Sequence, residues 1–189
     1  MDLVWSRAVL YEPPQVLGKT LRGFAPFHAL ALCAVQSSFM SEVGEDTDAI
    51  QELVVAVRIC SLGWADRYRI VDEQAIQQWG GKIDPATYLA ARQAFAVYLG
   101  ESWEMPQFWS SEGEGLRANW IYHLVAFGMR ELKMTEAEAW DCPIARLVCY
   151  RACVGESEGD KSLKSEEEIK GEAILEADKV KAEQAKEAK

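Results

Sequence analysis

The sequence predicts an all-α fold: a compact bundle of about six helices, preceded by an extended arm or small hairpin and followed by a charged helix or tail. Several segments repeat apolar residues at helical spacing and begin or end with capping signals. The 189-residue chain is 49% hydrophobic, which suffices for one core, and its composition becomes largely charged after Gly155. We therefore expect a helical globular domain at 1–155 and a charged tail at 156–189.

The segment before the first helix is rich in turn-forming residues. It reads YEPPQVLGKTLRGFAP, and its prolines and glycines prevent a long helix, so an extended arm or a short hairpin is expected. Pro26 then lies at or near the first turn of a helix over FHALALCAVQSSF, with Phe27 and Leu30 on one face. An acidic loop, SEVGEDTD, follows, and Asp46 or Thr47 is placed to cap the next helix.

Two longer helices are predicted in the middle of the chain. In AIQELVVAVRICSLGW the apolar positions have the period of a buried stripe, formed by Ile50, Leu53, Val54, Val57 and Cys60. A short helix near 72–79 ends at two glycines. Asp84 then stands where it can cap a helix that begins at Pro85. The apolar face of that helix consists of Tyr88, Ala91, Phe95, Tyr98 and Leu99.

Three further helices are predicted before the tail. LRANWIYHLVAFGMRELK has helical spacing and ends on basic residues, which suit a helix C-terminus. Thr135 and Glu138 form a capping-box pattern at the start of TEAEAW, a short helix that Pro143 stops. Pro143 also begins a helix over about 144–154. The tail is rich in Glu, Lys and Ala without a sustained heptad, so we expect a solvated helix or a disordered segment.

Charge and composition argue against several classes of partner. The net charge of -10 and the pI near 4.8 argue against binding along a nucleic-acid backbone, which needs a surplus of Lys and Arg. No segment approaches the roughly 20 consecutive apolar residues of a membrane span. The five cysteines are an odd number and lie mostly within apolar helical patterns, which suits a reducing compartment. We therefore predict a cytoplasmic protein that binds neither nucleic acid nor membrane.

The sequence contains no recognisable catalytic or metal-binding motif. Its two histidines, His28 and His123, lie within apolar helical patterns. Cys149 and Cys153 are one helical turn apart without a second pair, so we interpret them as core cysteines rather than zinc ligands. The acidic run at 42–48 lacks the ligand alternation of a calcium loop and is interpreted as a polar loop with helix caps. We predict a non-catalytic protein without a cofactor or metal.

The seven tryptophans are the residues that best indicate binding. They are Trp5, Trp64, Trp79, Trp103, Trp109, Trp120 and Trp140. Several lie beside turns or at predicted helix ends, where a large ring can serve either the core or a protein interface. Core packing is the expectation for any single ring, and at least one exposed aromatic patch is the expectation for the set.

Two stretches resemble small proteins encoded in phage tail modules. The first is LYEPPQVLGKTLRGFAPFHALAL, with Leu21, Pro26 and His28. The second runs from WIYHLVAFGMRELK through MTEAEAWDCP to a final helix and an acidic tail. In this outline the chain is similar to phage tail assembly chaperones, which are largely helical and end in a charged extension. The resemblance covers about half of the chain. It implies that the protein binds a helical tail protein, such as the tape measure or tail tube protein, in the host cytoplasm.

Under this hypothesis the stretch MTEAEAWDCPIARLVCYRA is the partner-binding element. Trp140 and Pro143 would fix the angle between two helices, and Leu147 and Tyr150 would present one face to the partner. The alternative is that these four residues pack the last helix onto the body. Two other functions stay open: a structural subunit, such as a tail or head-completion component that forms a homo-oligomer, and a small enzyme whose Cys and His meet only in space.

Overall fold

The computed structural model describes residues 12, 14–40, 49–70, 73–104, 119–159 and 164–187. Within these residues the predicted all-α class is confirmed. The α-helices there are α1 (Pro26–Ala34), α2 (Ala49–Ser61), α3 (Glu73–Gly80), α4 (Pro85–Ser102), α5 (Trp120–Arg130), α6 (Glu136–Asp141), α7 (Ile144–Ser157) and α8 (Glu166–Glu187). Two 3-10 helices, Ser38–Met40 and Trp64–Arg69, and strands β1 (Gln15–Val16) and β2 (Lys19–Thr20) complete the described elements.

The arm before α1 forms the small hairpin that the sequence allowed. β1 and β2 are antiparallel, with Val16 opposite Lys19. The two turn residues, Leu17 and Gly18, have φ values of 50° and 71°. Both lie in the left-handed region, as a type I′ turn requires, and this turn matches the twist of the paired strands. Val16 and the following Leu21 are buried, so the hairpin is docked on the core.

The predicted helix starts at 85 and 136 are confirmed by their caps. Asp84 accepts hydrogen bonds from the backbone N–H groups of Ala86 and Thr87, both at 2.9 Å. The Thr135 N–H donates to Glu138 at 2.8 Å, and the Glu138 N–H donates to the Thr135 hydroxyl at 3.3 Å. The bonds from the backbone N–H groups of Thr87 and Thr135 are the main reason that the pKa values of the two carboxyl groups are lowered.

The core lies between the helices and contains most of the residues of the stripes predicted for α2 and α4, whereas Ile50 and Tyr88 are half-buried. α1 packs on α2, α5 and α6, while α5 also packs on α6 and α7. Tyr98 is buried, and its hydroxyl donates to the backbone carbonyl of Arg22 at 2.9 Å, which ties α4 to the segment after the hairpin. The buried residues of α2 and α4 that were predicted include Leu53, Val54, Val57, Cys60, Ala91, Phe95 and Leu99.

The last helix of the body extends slightly beyond its predicted end at about 154. α7 continues to Ser157 and is followed by Gly159, whose φ of 89° suits a helix end. The tail was expected to be either a solvated helix or a disordered segment. Its described part forms the helix α8. None of the helices in the described ranges is long and apolar enough to cross a membrane.

Three predictions fall on residues outside the described ranges. These are the acidic loop at 42–48 and the environments of Trp5 and Trp109.

Candidate functional site

The four predicted partner-binding residues have different environments. Trp140 is 4% exposed and Leu147 is fully buried, so both side chains pack in the core. Pro143 is half-buried and precedes the first residue of α7, and Tyr150 is 38% exposed. Leu147 belongs to the buried stripe of α7 with Ile144 and Ala152, whereas the Tyr150 ring is accessible. Accessible surface remains at Pro143 and Tyr150.

Around Trp140 the structure assembles a continuous stack of aromatic rings and one arginine. The Trp140 and Trp64 rings are stacked, with centroids 4.9 Å apart and planes 8° apart. The Arg67 guanidinium lies 4.3 Å from the Trp64 centroid and 4.4 Å from the Tyr68 centroid. Tyr122 contacts Trp140 in a T-shaped arrangement at 5.6 Å. We call these five residues the aromatic stack. Its ends are open to solvent, because Tyr68 is 82% exposed and Tyr122 is 50% exposed.

Asp141 aligns the two tryptophans of the stack. Its Oδ1 atom accepts a hydrogen bond from the Trp64 N–H at 2.6 Å, and its Oδ2 atom lies 3.5 Å from Arg22 Nη2. Because Asp141 directly follows Trp140, fixing the Trp64 backbone on this carboxylate brings the two rings together. Gly63 leaves the necessary space: a Cβ atom at this position would lie 2.6 Å from Arg22 Nη1. The ion pair therefore covers the backbone that leads into the stack.

His28 holds the same segment from the other side. It is buried; its Nδ1 atom accepts from the Ala25 N–H at 3.0 Å, so Nε2 carries the proton that is donated to the Leu62 carbonyl at 2.8 Å. Burial is the main cause that lowers the pKa of His28 to about 4. At neutral pH this imidazole is therefore uncharged. Its hydrogen bond fixes the backbone of Leu62, which lies two residues before Trp64.

Positive charge is concentrated beside the Tyr68 end of the stack. Arg67 donates to the Trp64 carbonyl at 3.0 Å and to the Tyr68 hydroxyl at 2.9 Å. Arg69 lies 3.2 Å from Asp66, and the Arg58 guanidinium donates to the Arg69 carbonyl at 2.8 Å. These hydrogen bonds gather three arginines and one aspartate. In a chain of net charge -10 this is a locally basic surface.

An open depression of about 440 Å³ is lined in part by Asp141, the residue that accepts the hydrogen bond from the Trp64 N–H. Its lining consists of Leu132, Lys133, Met134, Glu138, Asp141, Cys142, Pro143 and Arg146. The two carboxylates are already engaged, Glu138 in the cap of α6 and Asp141 with Trp64. Burial raises the pKa of Cys142, which keeps it a thiol at neutral pH and a poor nucleophile. In the described ranges, no group of three or more His, Cys, Asp or Glu residues is placed to hold a metal ion.

The histidines and cysteines do not all occupy the core. His123 is exposed, unlike His28. Cys149 is buried, so its interpretation as a core residue is correct. Cys153 is exposed, so the same interpretation is wrong for it, because the buried stripe of α7 continues through Ala152 and not through Cys153. No disulfide bond joins any two of the five cysteines, all of which lie in the described ranges.

Three members of the stack were missed at the sequence level: Arg67, Tyr68 and Tyr122. A local signal existed for Arg67, since a position three residues after Trp64 brings the two side chains together in a helical turn. The contact between Trp64 and Trp140 has no such signal, because it joins residues far apart in the chain.

Comparison of the chain with protein-family models, with curated proteins and with solved structures yields no match.

Proposed function

We propose that this chain is a non-catalytic protein-binding factor that acts as a phage tail assembly chaperone for a helical tail protein, such as the tape measure protein. The observation that carries the binding function is the aromatic stack with its open ends. Tyr, Trp and Arg are enriched among the residues that dominate the energetics of protein interfaces. Assignment to tail assembly rests on the sequence resemblance.

The way the stack is held supports a role in recognition. Its backbone is fixed by Asp141 on one side and by His28 through Leu62 on the other. Rings that are already ordered lose little conformational entropy when a partner binds, and binding free energy is gained largely by avoiding such costs. The exposed rings Tyr68 and Tyr122 would contact the client, while Trp64 and Trp140 support them from behind.

Co-purification tests the assignment to tail assembly. The tagged full-length chain is expressed together with the genes that neighbour its own, and bound proteins are identified by mass spectrometry. We expect one long helical tail protein to co-purify and the tagged chain to be absent from purified particles. Presence of the chain within particles would instead identify a structural subunit of the tail or head.

Two tyrosine variants test where the client binds. Tyr68→Ser removes an exposed ring of the stack, whereas Tyr150→Ser removes the exposed ring that sequence analysis placed in the partner-binding element. We expect Tyr68→Ser to reduce the amount of client recovered, with an unchanged melting curve, and Tyr150→Ser to have little effect. The opposite pattern would place the client on α7 and not on the stack.

A further inference from the structure

The outward face of α5 carries an apolar stripe beside the exposed His123, and this stripe joins the aromatic stack. Tyr122, Ala126 and Met129 follow one another at i, i+4 and i+7, and all three are exposed, Met129 to 43%. The single charged residue of α5 is Arg130, at its last position. A surface helix normally carries charged residues on its outer face, so this stripe is unusual for a face in contact with water.

Tyr122 belongs both to this stripe and to the stack. The exposed stripe therefore runs from Met129 to Tyr122, and the supporting Trp140 and Trp64 rings of the stack connect Tyr122 to Arg67. One end is apolar at helical spacing, and the other end is basic. Arg67 uses two of its five N–H donors in the bonds described above, so further donors are suited to a carboxylate.

We infer that this surface receives an amphipathic helix whose apolar residues repeat at i, i+4 and i+7 and whose end beside Arg67 carries carboxylates. The inference rests on the proposed function and specifies the chemistry of its client. Helix-in-groove recognition uses this spacing of anchors. The complementary charge would fix the direction in which the helix lies.

The net charge of the whole chain favours a basic client, whereas the arginines beside the stack favour an acidic one. The distance over which each charge acts decides between these two clients. A net charge of -10 would attract a basic helix from afar. At physiological salt, however, exposed charges are largely screened beyond about 8 Å. Once the helix is seated, the arginines in contact with it dominate. We therefore expect the local basic surface to select an acidic helix.

Two synthetic helical peptides test the charge assignment. Both carry Leu at i, i+4 and i+7, and they differ only in having Glu or Lys at one end. Titration into the full-length chain at physiological salt, followed by calorimetry, should show the Glu peptide binding about tenfold more tightly. Arg67→Gln should remove most of this preference, whereas the matched substitution Arg92→Gln, at an exposed position of α4, should leave it intact. A Lys peptide that binds equally well or better would overturn the assignment.

A second pair of variants tests the surface itself. Met129→Glu places a carboxylate in the exposed stripe and should weaken binding of the Glu peptide by at least about tenfold without lowering the melting temperature. Val97→Glu introduces the same change at an exposed apolar position of α4 and should have no effect on binding. Unchanged binding to Met129→Glu, or an equal loss with Val97→Glu, would exclude this surface.

The two proposals fail separately. A chain that co-purifies with a tail protein but does not bind the Glu peptide retains the proposed function and loses the surface inferred here. A chain that binds the Glu peptide through Met129 and Arg67 but co-purifies with no tail protein retains the surface and loses the assignment to tail assembly.

Discussion

We expect His28 to couple the stability of the fold to pH. Burial chiefly lowers its pKa from 6.5 to about 4, with Arg22 acting in the same direction and Asp141 opposing it. Between pH 6.5 and 4 the unfolded chain binds a proton at this position and the folded chain does not. The free energy of unfolding therefore falls as the pH is lowered through this window and is unaffected by His28 above it. One pH unit corresponds to about 1.4 kcal/mol, so the full loss is about 3 kcal/mol.

Urea denaturation at a series of pH values measures this effect. His28→Gln should have a flatter dependence than the parent chain between pH 6.5 and 4, even if its stability at pH 7 is lower. His123→Gln is the matched control, since His123 is exposed. The lowered pKa values of Asp84 and Glu138 act towards the acid end and are common to both chains, so they cancel in the comparison. Parallel curves for the parent and His28→Gln would contradict the prediction.

Trp140 is expected to contribute to stability rather than to direct contact with a client. Trp140→Ala removes a buried ring that contacts Trp64 and Tyr122, and should lower the free energy of unfolding by about 3–5 kcal/mol. Trp120→Ala, at a partly exposed position, should cost less. Chemical denaturation gives both values, and near-UV circular dichroism reports the loss of the stacked pair. An unchanged denaturation midpoint for Trp140→Ala would show that the ring is not part of the core.

At the scale of elements, local chemistry accounts for what the sequence could predict. The Asp84 and Thr135 caps, the hairpin turn and the buried stripe of α2 depend on residues within a few positions of one another. The exact orientation of α7 depends on contacts with α5 and could not be predicted from its own residues. This is why Leu147, Tyr150 and Cys153 differ in burial although all three fit a helical pattern.

Two helical glycines should respond in opposite ways to a larger side chain. A Cβ atom at Gly128 of α5 would lie 3.3–3.4 Å from Ala139, Leu147 and Met134, so the close approach of α5, α6 and α7 depends on this glycine. Gly128→Val should lower the free energy of unfolding by about 2 kcal/mol or more. Gly100 of α4 has no atom within 4 Å of such a Cβ, and Gly100→Ala should raise it by up to about 1 kcal/mol. Denaturation curves test both signs, and a stable Gly128→Val chain would indicate that the three helices can separate without cost.

At the scale of the whole molecule, the candidate site is harder to predict than the fold. The fold class follows from composition and periodicity. The stack joins residues from the second 3-10 helix, α5 and α6, and its alignment depends on Asp141 reaching a backbone N–H group distant in the chain. The tryptophans near turns and helix ends were sufficient to predict that an exposed aromatic patch exists. Naming its members required the tertiary structure.

The tail should be energetically separate from the body. Most described side chains of α8 are exposed, including Ile174 and Leu175. Its start is held by local contacts, a capping box between Ser165 and Glu168 and an ion pair between Lys164 and Glu172. A chain truncated after Gly159 should therefore keep the free energy of unfolding of the full chain within about 0.5 kcal/mol, while losing helical signal in far-UV circular dichroism.

Binding should show the same independence. Since the aromatic stack and the outward face of α5 are built entirely from the body, the truncated chain should bind the Glu peptide with the affinity of the full chain. Calorimetry on both forms tests this, and denaturation of both forms tests the stability. A loss of more than about 1 kcal/mol on truncation would mean that α8 packs on the body. A loss of peptide affinity at unchanged stability would instead make the charged helix part of the binding surface.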